Sequence, residues 1–176
     1  MSQPIDVIQH RFAAWAAASA ARVSPKCRFK AANGVAILEG LGFGPGYGDP
    51  AKLPLPSRFD DQHRRWRKKA MRLAKARRIK MSHGVAAKLI NVYLKSRFIC
   101  GGHADHPKVA ALHPPIDSIL LEALIRTKDG GFEKSWRALA KVRWSNLDSG
   151  QYETAIACLR QCFKPTWSAE KLWRLD

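Results

Sequence analysis

The sequence predicts an all-α fold in which a single domain forms a helical bundle. Apolar side chains recur at helical spacing through most of the chain, and almost no stretch alternates as a half-buried strand does. The 176 residues fit the usual length of one domain and suffice for a hydrophobic core. With 46% hydrophobic and 26% charged residues, the composition is that of a globular protein rather than a disordered one.

Four segments follow one another along this domain. The first is an N-terminal helix over residues 4–23, which is Ala-rich. Five of its side chains lie at helical spacing, so we expect an amphipathic helix rather than the core of a signal peptide. Those positions are Ile5, Ile8, Phe12, Trp15 and Ser19. The other segments are a Gly/Pro-rich connection (24–58), a region of basic helix, turn and second helix (59–126), and C-terminal helices (127–176).

Glycine and proline dominate the connection. A short helix or apolar segment fits Val35–Leu41, but Gly42–Ser57 is too rich in these two residues for regular structure. We favour a surface connection for this stretch. The alternative is a mobile loop that carries Phe43 and Tyr47 over a pocket or a groove.

The next helix is the most basic part of the chain. Asp60 and Asp61 suit its N-terminus, and a narrow apolar stripe keeps helical spacing behind them. Ten of the 17 residues from 64 to 80 are Arg or Lys, and none is acidic. Such like charges destabilise a helix unless an anion lies nearby, and phosphate is the best candidate. The ten cations are Arg64, Arg65, Arg67, Lys68, Lys69, Arg72, Lys75, Arg77, Arg78 and Lys80.

The whole chain is strongly cationic. Its net charge is +17 and its pI about 10.3. We therefore expect a polyanionic partner, and nucleic acid ahead of an anionic membrane. No apolar stretch reaches the roughly 18 to 20 residues that span a bilayer, so we expect no membrane association.

A turn and a second helix follow the basic segment. Gly84 interrupts the helical pattern, and we expect a turn with positive φ there and a helix that restarts near Ala86. Backbone N–H groups at such a helix start bind phosphate. We therefore add His83, Gly84 and Ala86 to the residues expected to contact DNA. Lys88 falls one turn into the second helix.

A carboxylate lies in a comparable position further along. Asp117 follows Pro114-Pro115 and directly precedes the apolar run of residues 118–127, which is an N-cap or first-turn position. His113 stands four residues before it. The two further predicted helices span Phe132–Val142 and Asp148–Phe163.

These residues carry a resemblance to a known family. The run Gly84-Val85-x-x-Lys88-x-x-Asn91-Val92-x-Leu94, with Ile116-Asp117 downstream, resembles the helix-hairpin-helix signature of the endonuclease III and 8-oxoguanine DNA glycosylase superfamily. The resemblance covers roughly residues 70–126. Ala86 replaces the second hairpin glycine and His83 the usual proline. The 29-residue separation of Lys88 and Asp117 exceeds the family norm, and we assign the excess to a loop around Cys100–His113.

The resemblance implies an activity and assigns the site. It implies a DNA glycosylase that flips a damaged or modified base out of DNA and cleaves its N-glycosidic bond, in base-excision repair or in defence against foreign DNA. Asp117 would be the catalytic carboxylate and Lys88 the nucleophile of an associated AP-lyase activity. His113 and Asn91 are further candidates for the base pocket. We expect a monomer that acts on duplex DNA in preference to single strands, in the cytoplasm with the nucleoid.

Other interpretations of the same residues stay open. Lys88 and Asp117 form an ion pair in a core in one of them. The chain is then a non-enzymatic helix-hairpin-helix protein that binds DNA or RNA, or a component of a translation or nucleoid assembly.

We expect neither a metal nor another cofactor. The four cysteines contain no pair of Cys-x-x-Cys elements, and their spacing is not that of the iron–sulfur cluster of some members of the resembled family. His103, Asp105 and His106 could ligate a metal, but no fourth ligand accompanies them, so we favour a simple loop.

Overall fold

The computed structural model describes residues 4–22 and 27–174, and the regular secondary structure of this part of the chain is helical, without a β-strand. The predicted all-α class is confirmed. The predicted end of the first helix at residue 23 lies outside the described residues, as do residues 175 and 176. The α-helices of the described ranges are α1 (Pro4–Ala21), α2 (Ala31–Leu41), α3 (Phe59–Lys75), α4 (His83–Leu94), α5 (Ser118–Thr127), α6 (Glu133–Val142) and α7 (Ser149–Cys162).

Two hydrophobic clusters hold these helices together, and α4 contributes to both. In the first cluster, α4 packs against α1 and α3 through residues such as Leu89, Ile90 and Tyr93. In the second, α5, α6 and α7 enclose Trp136, with Ala87 of α4 at the edge. The site residues on α4 therefore lie between two packed halves. None of the helices in 4–22 and 27–174 has the length and hydropathy needed to cross a membrane.

The connection before α3 departs from the surface loop that the composition suggests. Residues 31–41 form a full helix, α2, which ends at Gly42 in the left-handed conformation. Phe43 is buried, and its ring stacks on that of Tyr93 with the centroids 5.1 Å apart. The alternative, in which Phe43 projects over a groove, is equally wrong. This glycine-rich segment puts an aromatic side chain into the core, which composition alone does not reveal.

Gly84 is not a turn. It lies in the first turn of α4, which begins at His83 with Ser82 as its N-cap, and its φ is not positive. The reason for a glycine is close approach, because an added Cβ would lie 1.8 Å from the carbonyl oxygen of Trp144. The predicted restart of the helix at Ala86 is therefore wrong by three residues.

The loop predicted after α4 is partly wrong as well. The helix continues from Lys95 to His103 with wider, π-type turns and ends where Gly102 takes a positive φ. Arg97 anchors this extension: it is buried, donates to Gln9 Oε1 at 2.9 Å and lies 3.8 Å from Asp6 Oδ1. A buried arginine with partners on α1 fixes the extension in place.

The C-terminal third agrees with the sequence analysis. Asp117 caps α5 as predicted, and Asp148 with Gln151 forms a capping box at the start of α7. A 3-10 segment over Thr166–Leu172 follows α7 and packs against α5 and α7.

Candidate active site and nucleic-acid interface

Lys88 and Asp117 meet across the two halves of the bundle. Lys88 Nζ lies 3.3 Å from Asp117 Oδ2, and each side chain is 11% exposed. The other oxygen of Asp117 accepts the backbone N–H of Leu120 at 3.0 Å, which is its N-cap bond. That bond orients the carboxylate, so the N-cap of α5 also places a charged group at the ion pair.

Two tryptophans complete the surroundings of this pair. The ammonium of Lys88 lies 4.3 Å from the centroid of the Trp144 ring, within the range of a cation–π contact. The indole N–H of Trp173 donates to Asp117 Oδ2 at 3.1 Å. The same carboxylate oxygen thus has a cation and a neutral donor beside it, both from side chains that also line a cavity.

This cavity has a volume of about 480 Å³. Lys88, Asp117, Trp144 and Trp173 line it, together with an ion pair between Lys95 and Glu170. Burial raises the pKa of the Glu170 carboxyl, and the charge of Asp117 adds to this while Lys95 opposes it. Glu170 Oε1 is buried and has no hydrogen-bond partner in the described residues. Two carboxyl groups, those of Asp117 and Glu170, therefore face one space.

A larger cationic groove lies along the C-terminal half of α3. Its volume is about 1240 Å³, and its floor is apolar, with Met71, Ile79 and Met81. Six cations of the predicted DNA-binding set line it: Arg65, Lys68, Arg72, Lys75, Arg78 and Lys80. All six are exposed, and none forms an ion pair with another of the described residues. An uncompensated row of this kind suits a polyanion.

One short segment separates the groove from the cavity. Trp144 lines the cavity, whereas its neighbours Ser145 and Asn146 line the groove. The N-terminus of α4 holds this segment, because Ser82 Oγ donates to the Ser145 carbonyl at 2.6 Å and Gly84 N–H donates to the Leu147 carbonyl at 3.1 Å. The groove and the Lys88–Asp117 pair thus share one wall.

Two of the predicted DNA contacts, Arg64 and Arg67, bind the carboxylate of Glu153. Arg67 is 1% exposed and donates to Glu153 Oε1 at 2.8 Å, and its guanidinium lies 4.4 Å from the Tyr152 ring centroid. Arg64 is half-buried and binds both carboxylate oxygens of Glu153. Arg67 lies on the buried face of α3. The apolar stripe predicted from the sequence left out position 67, although helical spacing places this position on the same face. The remaining two cations, Lys69 and Arg77, are exposed outside the groove.

The backbone N–H groups at the start of α4, which were expected to bind phosphate, already donate hydrogen bonds within the protein. The N–H of Gly84 binds Leu147, that of Val85 binds Ser82 Oγ, and that of Ala86 binds the Ser82 carbonyl. Gly84 and Ala86 are also buried, so their N–H groups are not available to a phosphate in this conformation. His83 lines the groove and is half-exposed, with its ring Nδ1 3.4 Å from Arg67.

The two pocket candidates lie elsewhere. Asn91 donates to the Pro114 carbonyl and to the Tyr152 hydroxyl, and it does not line the cavity. His113 is buried between the Tyr152 hydroxyl at 3.0 Å and Asp60 Oδ1 at 3.0 Å. Both residues belong to a hydrogen-bonded network inside the bundle, and neither lines the cavity that contains Lys88 and Asp117.

Burial sets the proton affinities of this internal network. It lowers the pKa of His113 and lowers that of His63 well below the usual value. Hydrogen bonds from His113 and Arg160 hold the pKa of Asp60 far below its usual range. The Arg64 guanidinium lowers the pKa of Glu153 to about 2. Both histidines are therefore neutral at neutral pH, and both carboxylates are charged.

Sequence reasoning missed four residues of the cavity: Lys95, Trp144, Glu170 and Trp173. Trp144 and Trp173 look like core residues, because aromatic side chains in helical segments usually are. Trp136 does lie in the core, but its position in the sequence pattern does not distinguish it from Trp144 and Trp173. Within the described residues, no group of three His, Cys, Asp or Glu side chains is arranged to hold a metal ion.

Comparison with known proteins gives no match to this chain. No protein-family model matches the chain, no curated protein matches its sequence, and no solved structure matches its fold.

Proposed function

We propose that the protein is a DNA glycosylase that excises a damaged or modified base and, through Lys88, also acts as an AP lyase. The observation that carries the proposal is the 3.3 Å contact of Lys88 with Asp117 inside a cavity that shares a wall with a groove of six exposed cations. An amine and a carboxylate at one opening beside a phosphate-binding surface are what excision chemistry needs.

The groove would bind the DNA backbone. Its cations would neutralise phosphates, and binding would weaken as salt rises because counterions are released. The target nucleotide would then turn out of the stack, past the 144–146 segment, into the cavity. At about 480 Å³ the cavity falls within the range of small-molecule sites, and its two tryptophans offer apolar surface to a planar base.

Asp117 would act on the sugar. Cleavage of the N-glycosidic bond leaves positive charge on the sugar, as in the oxocarbenium-like transition state of glycoside hydrolysis. A carboxylate that is fixed by the Leu120 N–H needs no reorganisation to face that charge. The sugar would take the place of the Trp173 indole, which now occupies Oδ2.

Lys88 would act after or during base departure. Its neutral amine would bond to C1′ as the bond from C1′ to the base breaks, and the base would leave with a proton. The nitrogen would then lose a proton and the C1′–O4′ bond would open as O4′ takes one up, and the resulting Schiff base would lose a C2′ proton and the 3′-phosphate in β-elimination. The sugar would enter beside the ion pair, so that Asp117 faces it without moving and the Lys88 side chain turns toward C1′. Glu170, whose pKa is raised by burial, is the carboxyl group of the cavity best suited to give a proton to the leaving base. A Glu170→Gln variant that excises the base at the wild-type rate at every pH would remove that role.

Borohydride trapping tests the lyase step. The protein is incubated with duplexes that carry an abasic site or one of a panel of damaged bases, and borohydride reduces any Schiff base to a stable adduct. We expect a covalent complex from the wild-type chain and none from Lys88→Gln. Lys134→Gln, an exposed cation outside both the groove and the cavity, is the matched control and should trap as wild type. Absence of an adduct with every substrate would remove the lyase activity.

One observation favours a second candidate, a helical protein that binds DNA or RNA without catalysis. Asp117 already has three partners, Lys88, Trp173 and the Leu120 N–H, which is the pattern of a structural ion pair. In that case Asp117→Asn would lower the unfolding temperature and leave nucleic-acid affinity nearly unchanged, and no base would be released from any substrate.

A further inference from the structure

The C-terminal segment covers part of the Lys88–Asp117 cavity. Its 3-10 turns over Thr166–Leu172 lead to Trp173, which lines the cavity and donates its indole N–H to Asp117 Oδ2 at 3.1 Å. The Trp173 side chain is also 36% exposed, so its ring reaches from the cavity to solvent. A side chain with this position lies at the mouth of the cavity.

This segment has a fixed part and a weakly held end. Thr166 and Ala169 are buried, and the segment packs there against α5 and α7. The last four described residues, 171–174, are named here the C-terminal tip, and none of them is fully buried. The tip cations Lys171 and Arg174 are exposed and pair with no acidic side chain of the described residues. Few buried contacts of this kind favour local opening.

An ion pair marks the border between the fixed part and the tip. Glu170 binds Lys95 of the extension that follows α4, which ties the last residue before the tip to the bundle. The same ammonium lies 5.8 Å from the centroid of the Trp173 ring. Among the described residues, the bond from Trp173 to Asp117 is the only side-chain hydrogen bond of the tip. The tip can therefore move while the rest of the segment stays in place.

The indole binds the carboxylate that the proposed chemistry uses. Asp117 Oδ1 accepts the Leu120 N–H, while Oδ2 is shared by Lys88 and Trp173. A sugar can take a place beside Oδ2 only after the indole has left it. We therefore propose that Trp173 is an autoinhibitory plug, and that the C-terminal tip swings the indole away from Asp117 to admit the substrate. As a control of substrate entry, this inference rests on the proposed function.

Closure by the plug has a measurable consequence. Only molecules with an open tip expose Lys88 and Asp117, so any reaction at these groups is slowed by the fraction that is closed. A hydrogen bond to a charged group shifts such an equilibrium by at least about tenfold. Removal of the indole should therefore raise the accessibility of Lys88 by this factor or more.

Reductive methylation of lysines tests the plug in the full chain without DNA. Formaldehyde and a borohydride reagent methylate accessible amines, and peptide mass spectrometry follows each lysine separately. We expect Lys88 to react at least about tenfold faster in Trp173→Ala than in the wild type, while the exposed Lys134 reacts equally in both. Trp15→Ala, which removes an exposed indole from α1, is the matched control and should label Lys88 as the wild type does.

A second variant separates the hydrogen bond from the bulk of the ring. Trp173→Phe keeps an aromatic ring and removes the donor, so Lys88 should react faster than in the wild type and more slowly than in Trp173→Ala. Loss of the donor also leaves Asp117 more strongly paired with Lys88, which slows methylation. A faster reaction therefore reports access to the cavity.

Two results would overturn the proposal. One is a Lys88 that reacts at the same rate in the wild type and in Trp173→Ala. The other is a rise that the buried thiol of Cys158 matches with a thiol reagent, because Trp173 would then be a structural residue whose loss loosens the fold. Faster labelling of Lys88 without base release from any duplex would uphold the plug and remove the proposed function. Base release with unchanged labelling would do the reverse.

Discussion

Gly84 shows that a sequence pattern can single out a residue for the wrong reason. The helix-hairpin-helix resemblance gives it a turn, yet it lies inside α4 and donates its N–H to Leu147. What requires glycine is the Trp144 carbonyl, which leaves no room for a Cβ. Since Trp144 also contacts Lys88, the missing side chain sets the wall of the candidate active site.

Substitution at this residue should therefore disturb the site. In Gly84→Ala the added methyl group meets backbone, which cannot rotate away, so we expect a loss of about 1 to 3 kcal/mol in the free energy of unfolding. This loss outweighs the gain of about 1 kcal/mol that alanine brings to a helix interior. Urea unfolding measures the difference. Gly150→Ala, in the first turn of α7 where an added Cβ meets only an Asp148 oxygen at 3.5 Å, is the control and should lose little. Equal stability of Gly84→Ala and wild type would contradict the close approach.

At the scale of one element, the cations of α3 fall into two groups, one on each face of the helix. Its outward face contributes to the groove, while Arg67 on the inward face holds Glu153 and stacks on Tyr152. The sequence shows ten cations and cannot separate them by charge. Helical position separates them, because Arg67 lies three and four residues from the buried Ala70 and His63.

This division predicts different effects of two kinds of substitution. In Arg72→Gln/Lys75→Gln, the slope of log K against log salt for a short DNA duplex should decrease by about 2, because in the proposed complex each of these cations would neutralise one phosphate. Arg67→Gln should leave that slope unchanged and lower stability, because it deprives the Glu153 carboxylate of its most deeply buried partner. Fluorescence anisotropy over a salt series measures the slope. If Arg67→Gln lowers the slope by about 1, which is half of the change expected for the double variant, Arg67 does not differ from the groove cations.

At the scale of the whole molecule, a polar network joins the two halves of the bundle. It links Asp60 and His63 of α3, Asn91 of α4, His113, and Tyr152 of α7. These polar groups find their partners on other elements, which fixes one relative position of the helices. Burial keeps the histidines neutral, so the network ties fold stability to pH.

We expect the protein to lose stability in mild acid. The folded pKa values of His63 and His113 lie below the unfolded value of 6.5, so their contribution is complete above that pH and declines as the pH falls. The lowered pKa values of Asp60 and Glu153 act in the same direction below pH about 4. Thermal unfolding should show a midpoint lower by roughly 5 °C at pH 5 than at pH 7. His103→Gln removes an exposed histidine and should leave this difference unchanged, and a midpoint that does not fall would contradict the account.

Local signals predicted most of the fold. Capping residues such as Asp117 and Asp148 mark helix starts because their role depends only on neighbours in the sequence. The buried Phe43 and the π-type extension with Arg97 depend on partners far away in the chain. So does the outward position of Ile8 and Phe12, because the alanines of α1 take the face that packs against other helices. The candidate site was likewise predicted only in part. A sequence motif indicates Lys88 and Asp117, but Trp144 and Glu170 reach the same cavity only through tertiary packing.

The most direct test of the central claim is base release under single-turnover conditions with the protein in excess over the DNA. We predict that the wild-type chain releases free base from at least one damaged or modified duplex, that Asp117→Asn lowers the rate by roughly 100-fold or more while still binding the duplex, and that Lys134→Gln equals wild type. Base release by Asp117→Asn at the wild-type rate, or no release from any duplex by the wild type, would contradict the assignment of the Lys88–Asp117 cavity as an excision site.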